Sequence, residues 1–209
     1  MKRKNLLKWS ALCCLTVLLA SCGTAGKENQ SAQSATKLTF AYLTDVHLNK
    51  DNAGNGNEGL RKALKAAVDN GAEFVMFGGD NADTDHLGEA ETTADTLHAR
   101  FVRLVEEAGL PAYYTIGNHD RFYRSEGQPD TLGFKMFEKH YGPTYRSFTQ
   151  KGVHFVILNA LYPQGDDAPY NVGAEQLEWL KADLDTVARE TPVIVSIHVP
   201  MLSLYYPVV

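Results

Sequence analysis

The chain is 209 residues long, carries 25 acidic against 20 basic side chains for a formal charge of −5, and has three cysteines, Cys13, Cys14 and Cys22. That acidic balance argues against generic DNA or RNA binding, whose affinity rests on neutralising phosphates. With every cysteine at or before position 22, the rest of the chain can form no internal disulfide. It can offer a metal only oxygen and nitrogen ligands, which excludes thiolate zinc sites and iron–sulfur clusters.

The first elements are not part of a fold. Lys2, Arg3, Lys4 and Lys8 make a positive n-region, and Trp9 to Leu19 is an apolar core of export-signal length. It is shorter than the roughly 20 apolar residues of a membrane-spanning helix. Leu19-Ala20-Ser21-Cys22 resembles a bacterial lipobox, so residues 1–21 are expected to be removed and Cys22 to be acylated. Three acyl chains would hold the protein outside the cytoplasm on a bacterial membrane, where a single chain binds only marginally. Losing a leader with four basic and no acidic side chains takes the formal charge from −5 to −9. Residues 22–36, rich in Gly, Ala, Ser, Thr and Gln, cannot build a core and read as a flexible tether. Residues 37–209 are the size of one domain.

Within that domain Leu38 to Leu43 reads as a strand running into Asp45 and His47. Leu60, Ala63, Leu64, Ala67 and Val68 recur at helical spacing, and Asn70-Gly71 stops that helix. Phe74 to Phe77 is a short apolar strand leading into Gly78-Gly79-Asp80. A second amphipathic helix carries Ala94, Leu97, Phe101, Leu104, Val105 and Ala108, and Ala112 to Ile116 is a strand feeding Gly117-Asn118-His119-Asp120. Tyr145 to Thr149 and Val153 to Leu158 flank Gln150-Lys151-Gly152 as a hairpin. A third helix over residues 173–188 places Leu177, Leu180, Leu184 and Val187 on one side, and Val193 to Ile197 is a strand delivering His198. Alternating strands and helices predict a parallel α/β sheet, whose ligand sites lie at the carboxyl ends of the strands.

Carboxylate, imidazole and amide oxygen gathered at that edge suit two divalent metals, and paired metals suit cleavage of phosphate esters. Asp45 and His47 are two apart, so at an extended strand end they share a face and could serve one metal. Asp80, after two glycines, has two oxygens with which to bridge. Asn118 and His198 offer an amide oxygen and an imidazole to the second ion. Mn, Fe, Zn and Co all suit these donors.

The strings Asp45-Val46-His47, Gly79-Asp80, Gly117-Asn118-His119-Asp120 and the later His198 together resemble the calcineurin-like metallophosphoesterase family. The resemblance implies a four-layer α/β sandwich, two metals and a metal-bridging hydroxide that attacks a small phosphate ester. It casts His119 as a non-ligand that contacts the phosphate and serves the leaving group, and Asp120 as the group that orients an imidazole. Gln176 to Leu180 also looks like the cyclic-nucleotide-phosphodiesterase-like branch. Asp83 stands where purple acid phosphatases carry a tyrosine ligand, so their charge-transfer iron chemistry is not expected. The family's final Gly-His-x-His element is absent before Val209. The domain is therefore expected to be incomplete at its C-terminus and this chain alone weak or inactive, with a non-catalytic metal- or phosphate-binding module on the membrane surface as the alternative. His86, Arg121 and Arg124 are candidate phosphate contacts, Tyr205 and Tyr206 candidate pocket walls, and His98, His140 and His154 are expected to be packed or solvated.

Overall fold

Leu43, Phe77 and Tyr114 end three short strands: β1 (Ala41–Leu43), β2 (Val75–Phe77) and β3 (Ala112–Tyr114), parallel and in the order β1-β2-β3. Their register pairs Leu43 with Phe77 and Phe77 with Tyr114, so the three chains leave the sheet at one level. The central strand is buried on both faces, as an unbroken apolar run in a parallel sheet must be. The computed structural model describes residues 37–51, 56–85, 91–122, 132, 134–162 and 170–200. Cys22 with the leader and tether, His86, Arg124, Tyr205 and Tyr206 lie outside the described residues.

Two helices, α1 (Gly56–Asp69) and α2 (Glu91–Glu106), connect these strands and cover one face of the sheet. Leu60 and Leu64 from α1 and Leu97, Phe101, Leu104 and Val105 from α2 meet Val75, Phe77 and Tyr114 in the main core. A short helix, α3 (Lys135–Tyr141), packs beside α2 and adds Phe137 and Tyr141 to that core. No helix is expected there from the sequence pattern.

A second sheet lies on the opposite face. It is built from β4 (Arg146–Gln150), β5 (Val153–Ile157) and β6 (Val193–Ser196), with β4 antiparallel and β6 parallel to β5. Phe148, Phe155 and Ile157 pack against Phe74, Met76 and Tyr113 of the first sheet. Those rings are mostly edge-to-face or offset, for example Phe74 against Phe155 at 5.3 Å and 89°. Ser196 of β6 ties the sheets together at the strand ends, its hydroxyl 2.6 Å from that of Thr115.

The last helix, α4 (Ala174–Leu184), covers the outer side of the second sheet and completes the order helices, sheet, sheet, helix. Asp183 of α4 accepts from His154 Nε2 at 2.8 Å and bonds Ser147 of β4. The expected apolar stripe is not what buries this helix: Leu177 is 50% and Leu184 38% exposed. Gln176 is buried instead. Its amide receives the Asn159 N–H at 2.8 Å and donates to the Asn159 carbonyl at 2.7 Å, as a neighbouring strand would. Among the described residues no helix is long and apolar enough to cross a membrane.

Candidate metal centre

Past the ends of β1 and β2 the two chains continue side by side as loops. Asp45 N–H donates to the Gly79 carbonyl at 3.0 Å, His47 N–H to Asp80 at 2.9 Å and Leu48 N–H to Asn81 at 3.0 Å. Within this zipper Asp45, His47 and Asp80 hold φ of 57°, 51° and 52°, the left-handed region that non-glycine residues avoid. Each such residue costs about 1–3 kcal/mol and persists only where the surroundings enforce it. Here the loop-to-loop hydrogen bonds enforce it, and the result aims three chemically active side chains at one spot.

Asp80 is the centre of the cluster. Its Oδ1 accepts the His119 backbone N–H at 2.9 Å, which leaves Oδ2 lying 3.2 Å from His198 Nε2 and 3.6 Å from His47 Nε2. Two groups of donors close enough to share an ion meet on this carboxylate: His47, Asp80 and His119, and Asp45, Asp80 and His198. Burial resists ionisation of Asp80, yet the His198 imidazole and the His119 amide hold its carboxyl below the usual aspartate range.

The three imidazoles share one design. Each hands its Nδ1–H to a neighbour: His47 to Asp83 at 2.6 Å, His119 to Asp85 at 3.0 Å, and His198 to the Gly78 carbonyl at 2.9 Å. A ligating histidine is oriented in this way, with the second nitrogen's lone pair left for the ion. For His47 and His198 that second nitrogen is the one turned toward Asp80. Burial disfavours the charged form of His198, but Asp80, the Gly78 carbonyl and Asp45 outweigh it and push its pKa up to about 9. Burial likewise opposes, and Asp83, Asp80 and Asp45 overcome it in raising, the pKa of His47. The donor set fits two divalent cations: it is rich in negative charge, and each imidazole is anchored through Nδ1, so that a cation would take the place of the proton that Asp80 now favours on His198 Nε2.

Glycines make the close approach possible. A Cβ on Gly79, whose φ is 105°, would fall 2.5 to 2.8 Å from atoms of the His198 side chain. One on Gly117 would strike the backbone nitrogen and Oδ1 of Asp80.

Donor atoms gather as His47, Asp80 and His119 and as Asp45, Asp80 and His198, with left-handed backbone at Asp45 and His47. Asp45 Oδ1 still lies 3.9 Å from His47 Nε2. Asn118 opens a single 3-10 turn, Asn118–Asp120, beside the cluster. His119, expected to stay off the metal, stands close enough to Asp80 and His47 to ligate, its ring 4.9 Å from that of His47.

Asp120 also departs from expectation. It is completely buried and turned to the backbone, accepting from Asn81 N–H (2.9 Å), Ala82 N–H (3.0 Å), Gly117 N–H (2.8 Å) and the Asn81 amide (3.0 Å). Burial pushes its pKa up to about 7, against the amides of Ala82, Gly117 and Asn81 that favour the charged form. Orientation of the His47 and His119 imidazoles falls to Asp83 and Asp85, roles not expected from the sequence. The available signal was three carboxylates, Asp80, Asp83 and Asp85, within six residues after a strand. Arg121 is buried, donating from Nε to the Asn118 carbonyl at 3.2 Å and from Nη1 to Tyr162 at 3.3 Å. It braces the loop. His98, His140 and His154 are packed and hydrogen-bonded away from Asp80.

A family model described as calcineurin-like phosphoesterase matches residues 38–207. The chain belongs to the calcineurin-like phosphoesterase family. It is 31% identical over 137 residues to Metallophosphoesterase 1 of Rattus norvegicus, covering 62% of this chain and 34% of the rat protein. It is 35% identical over 104 residues to Purple acid phosphatase 15 of Arabidopsis thaliana, covering 46% of this chain and 18% of the plant protein. The chain thus spans about a third or less of these curated relatives. Among solved structures a dimetal phosphatase from Danio rerio aligns with a TM-score of 0.58 at 15% identity, over 79% of this chain and 70% of that one. This last likeness is one of fold, and the α/β sandwich of the calcineurin-like phosphoesterases is the fold described above.

Proposed function

We propose that this calcineurin-like phosphoesterase is a metal-dependent hydrolase of small phosphate mono- or diesters. The observation that carries the reading is Asp80, one carboxylate common to two donor groups whose imidazoles are already turned toward it. Asp45, His47, Asn118 and His198 would hold a pair of divalent cations with Asp80 between them. Bound there, such cations supply positive charge for a phosphate and acidify a water molecule. In a protein this acidic, that charge would be the local attraction for a phosphate ester.

The chain's own residues do the rest. The His119 amide keeps Asp80 from rotating. Asp83 and Asp85 fix the tautomers of His47 and His119, and His119, on the rim of the cluster, would meet the phosphate and serve the leaving-group oxygen. The names of the curated relatives support a phosphoric ester as substrate. Metal analysis combined with p-nitrophenyl phosphate and bis-p-nitrophenyl phosphate assays tests the reading. Weak turnover of either ester that needs Mn²⁺, Zn²⁺ or Co²⁺ and stops with chelator is expected. Metal uptake without turnover would make the protein a binding module instead.

The leader and the Leu19-Ala20-Ser21-Cys22 string support a lipid anchor at Cys22 and a place outside the cytoplasm. Expression in a bacterial host with an alkyne-bearing fatty acid should label the protein in the membrane fraction, and Cys22→Ser should abolish the label. Labelling that survives the substitution would overturn the anchor.

A further inference from the structure

Thr84 and Asp85 stand beside the metal centre, and what holds them is a polar chain that runs away from it into the helical layer. The Thr84 N–H donates to the His119 carbonyl at 2.9 Å. The Thr84 hydroxyl faces the carbonyls of Arg121 at 3.0 Å and His119 at 3.2 Å. On its other side lies Nε2 of His98 at 3.3 Å, and Nδ1 of His98 lies 2.9 Å from the Tyr141 hydroxyl. His98 comes from α2 and Tyr141 from α3, and both are buried.

Proton accounting gives this chain one direction. Carbonyls only accept, so the single Thr84 proton points to them and Thr84 must accept from His98. His98 therefore carries its proton on Nε2 and accepts at Nδ1 from Tyr141. Burial lowers the His98 pKa to about 3, with the charge of His140 adding to the effect and Asp95 opposing it, in keeping with a neutral ring. Around it, α2 buries Ala94, Leu97, Phe101, Leu104 and Val105. A leucine would fill the same space at no desolvation cost, whereas a buried histidine is tolerable only when both nitrogens are satisfied. Both are, and the chain ends on the two carbonyls that flank Asp120, in the turn that also presents His119.

We propose that His98 is a positioning residue for the active site: through Thr84 it locks the Thr84–Asp85 segment against the Asn118–Asp120 turn, and so sets where Asp85 holds the His119 ring. His98 touches neither substrate nor metal. Its effect is on the placement of a group 21 positions away in the sequence.

The turnover arm rests on the hydrolase reading, so a second arm is independent of it. His98→Phe, which keeps the ring and removes both hydrogen bonds, and Thr84→Val should each lower kcat about tenfold, the low end for an outer partner of a site residue. KM and zinc affinity should move less than about twofold. The double variant should lose no more than either single one, because both cut the same chain. His98→Gln, which can return an N–H to Thr84, should recover most of kcat. A kcat unchanged by both single variants, or losses that add, would overturn the proposal. The second arm is imidazole ¹⁵N NMR of the chain, with His119 assigned by His119→Asn. His98 of the unsubstituted chain should show the Nε2–H tautomer, and the His119 resonances should shift or broaden in His98→Phe. An Nδ1–H tautomer, or His119 resonances untouched by the substitution, overturns the proposal whether or not the chain hydrolyses either ester. If the unsubstituted chain turns over neither ester while these shifts occur, it is the hydrolase reading that fails.

Discussion

At the scale of single residues, the centre is organised by groups one step removed from the ions it would hold. Asp83 illustrates this. It stands at the position of a tyrosine ligand in the purple acid phosphatases and here takes the Nδ1 proton of His47 at 2.6 Å. Losing such an outer partner typically costs about 10–100-fold in metal affinity or activity. Asp83→Ala should therefore weaken zinc binding by about that factor in calorimetric titration, although it removes no ligand. Asp83→Asn should cost less, since its amide oxygen can still accept the Nδ1 proton. His119 poses a sharper question, because it lies within ligating range yet has the surroundings of a leaving-group donor. His119→Ala should abolish ester turnover while two equivalents of metal stay bound. A preparation that comes back with one equivalent would make His119 a ligand.

At the scale of elements, the centre is a product of where strands stop. The parallel register of β1, β2 and β3 delivers three polar loops at one level, and left-handed backbone at Asp45, His47 and Asp80 turns them inward. Gly79 carries a specific share of that geometry. Alanine there meets two obstacles, a φ of 105° and a Cβ 2.5 to 2.8 Å from His198. Gly79→Ala should displace the His198 ring, cut zinc stoichiometry and lower Tm, while circular dichroism stays that of the folded chain. Retention of both full stoichiometry and Tm would show that the His198 ring can give way. These strands and their loops were legible in advance because Phe74 to Phe77 and Ala112 to Ile116 are short apolar runs that end in Gly. Two features were not. α3 is too short for periodicity to register, with Met136, Phe137 and Tyr141 as its buried residues. In α4 the leucines suggested a buried stripe, but the contact is made by Gln176, whose amide imitates a strand, and by Asp183. The left-handed backbone at Asp45 and His47 was hidden as well, because spacing alone suggests an extended strand end there.

At the scale of the whole molecule, the helical layer and the metal centre are joined through buried polar groups as well as through the aliphatic core, and that has a consequence for stability. His98 is neutral in the fold, with its pKa near 3, and takes the ordinary value of about 6.5 once unfolded. The groups facing it are Thr84, Tyr141 and His140, with Asp95 behind His140. A depressed histidine pKa means that the unfolded chain binds a proton the folded one refuses. The contribution is therefore intact above pH 6.5 and is lost as pH falls from there toward 3, by about 1.4 kcal/mol for each pH unit. Carboxylates such as Asp95, whose pKa is lowered by Lys139 and His140, add their own losses at the acid end of that range. Asp120, raised to about 7, works in the opposite sense, because the folded chain binds its proton first as pH falls. The histidine is therefore isolated by difference: in urea unfolding of the metal-free chains from pH 6.5 to 5, the unsubstituted chain should lose stability relative to His98→Gln as pH falls, with both folded at pH 7.5. A difference between the two chains that does not change with pH would assign the acid sensitivity to other groups and give His98 the same pKa folded and unfolded.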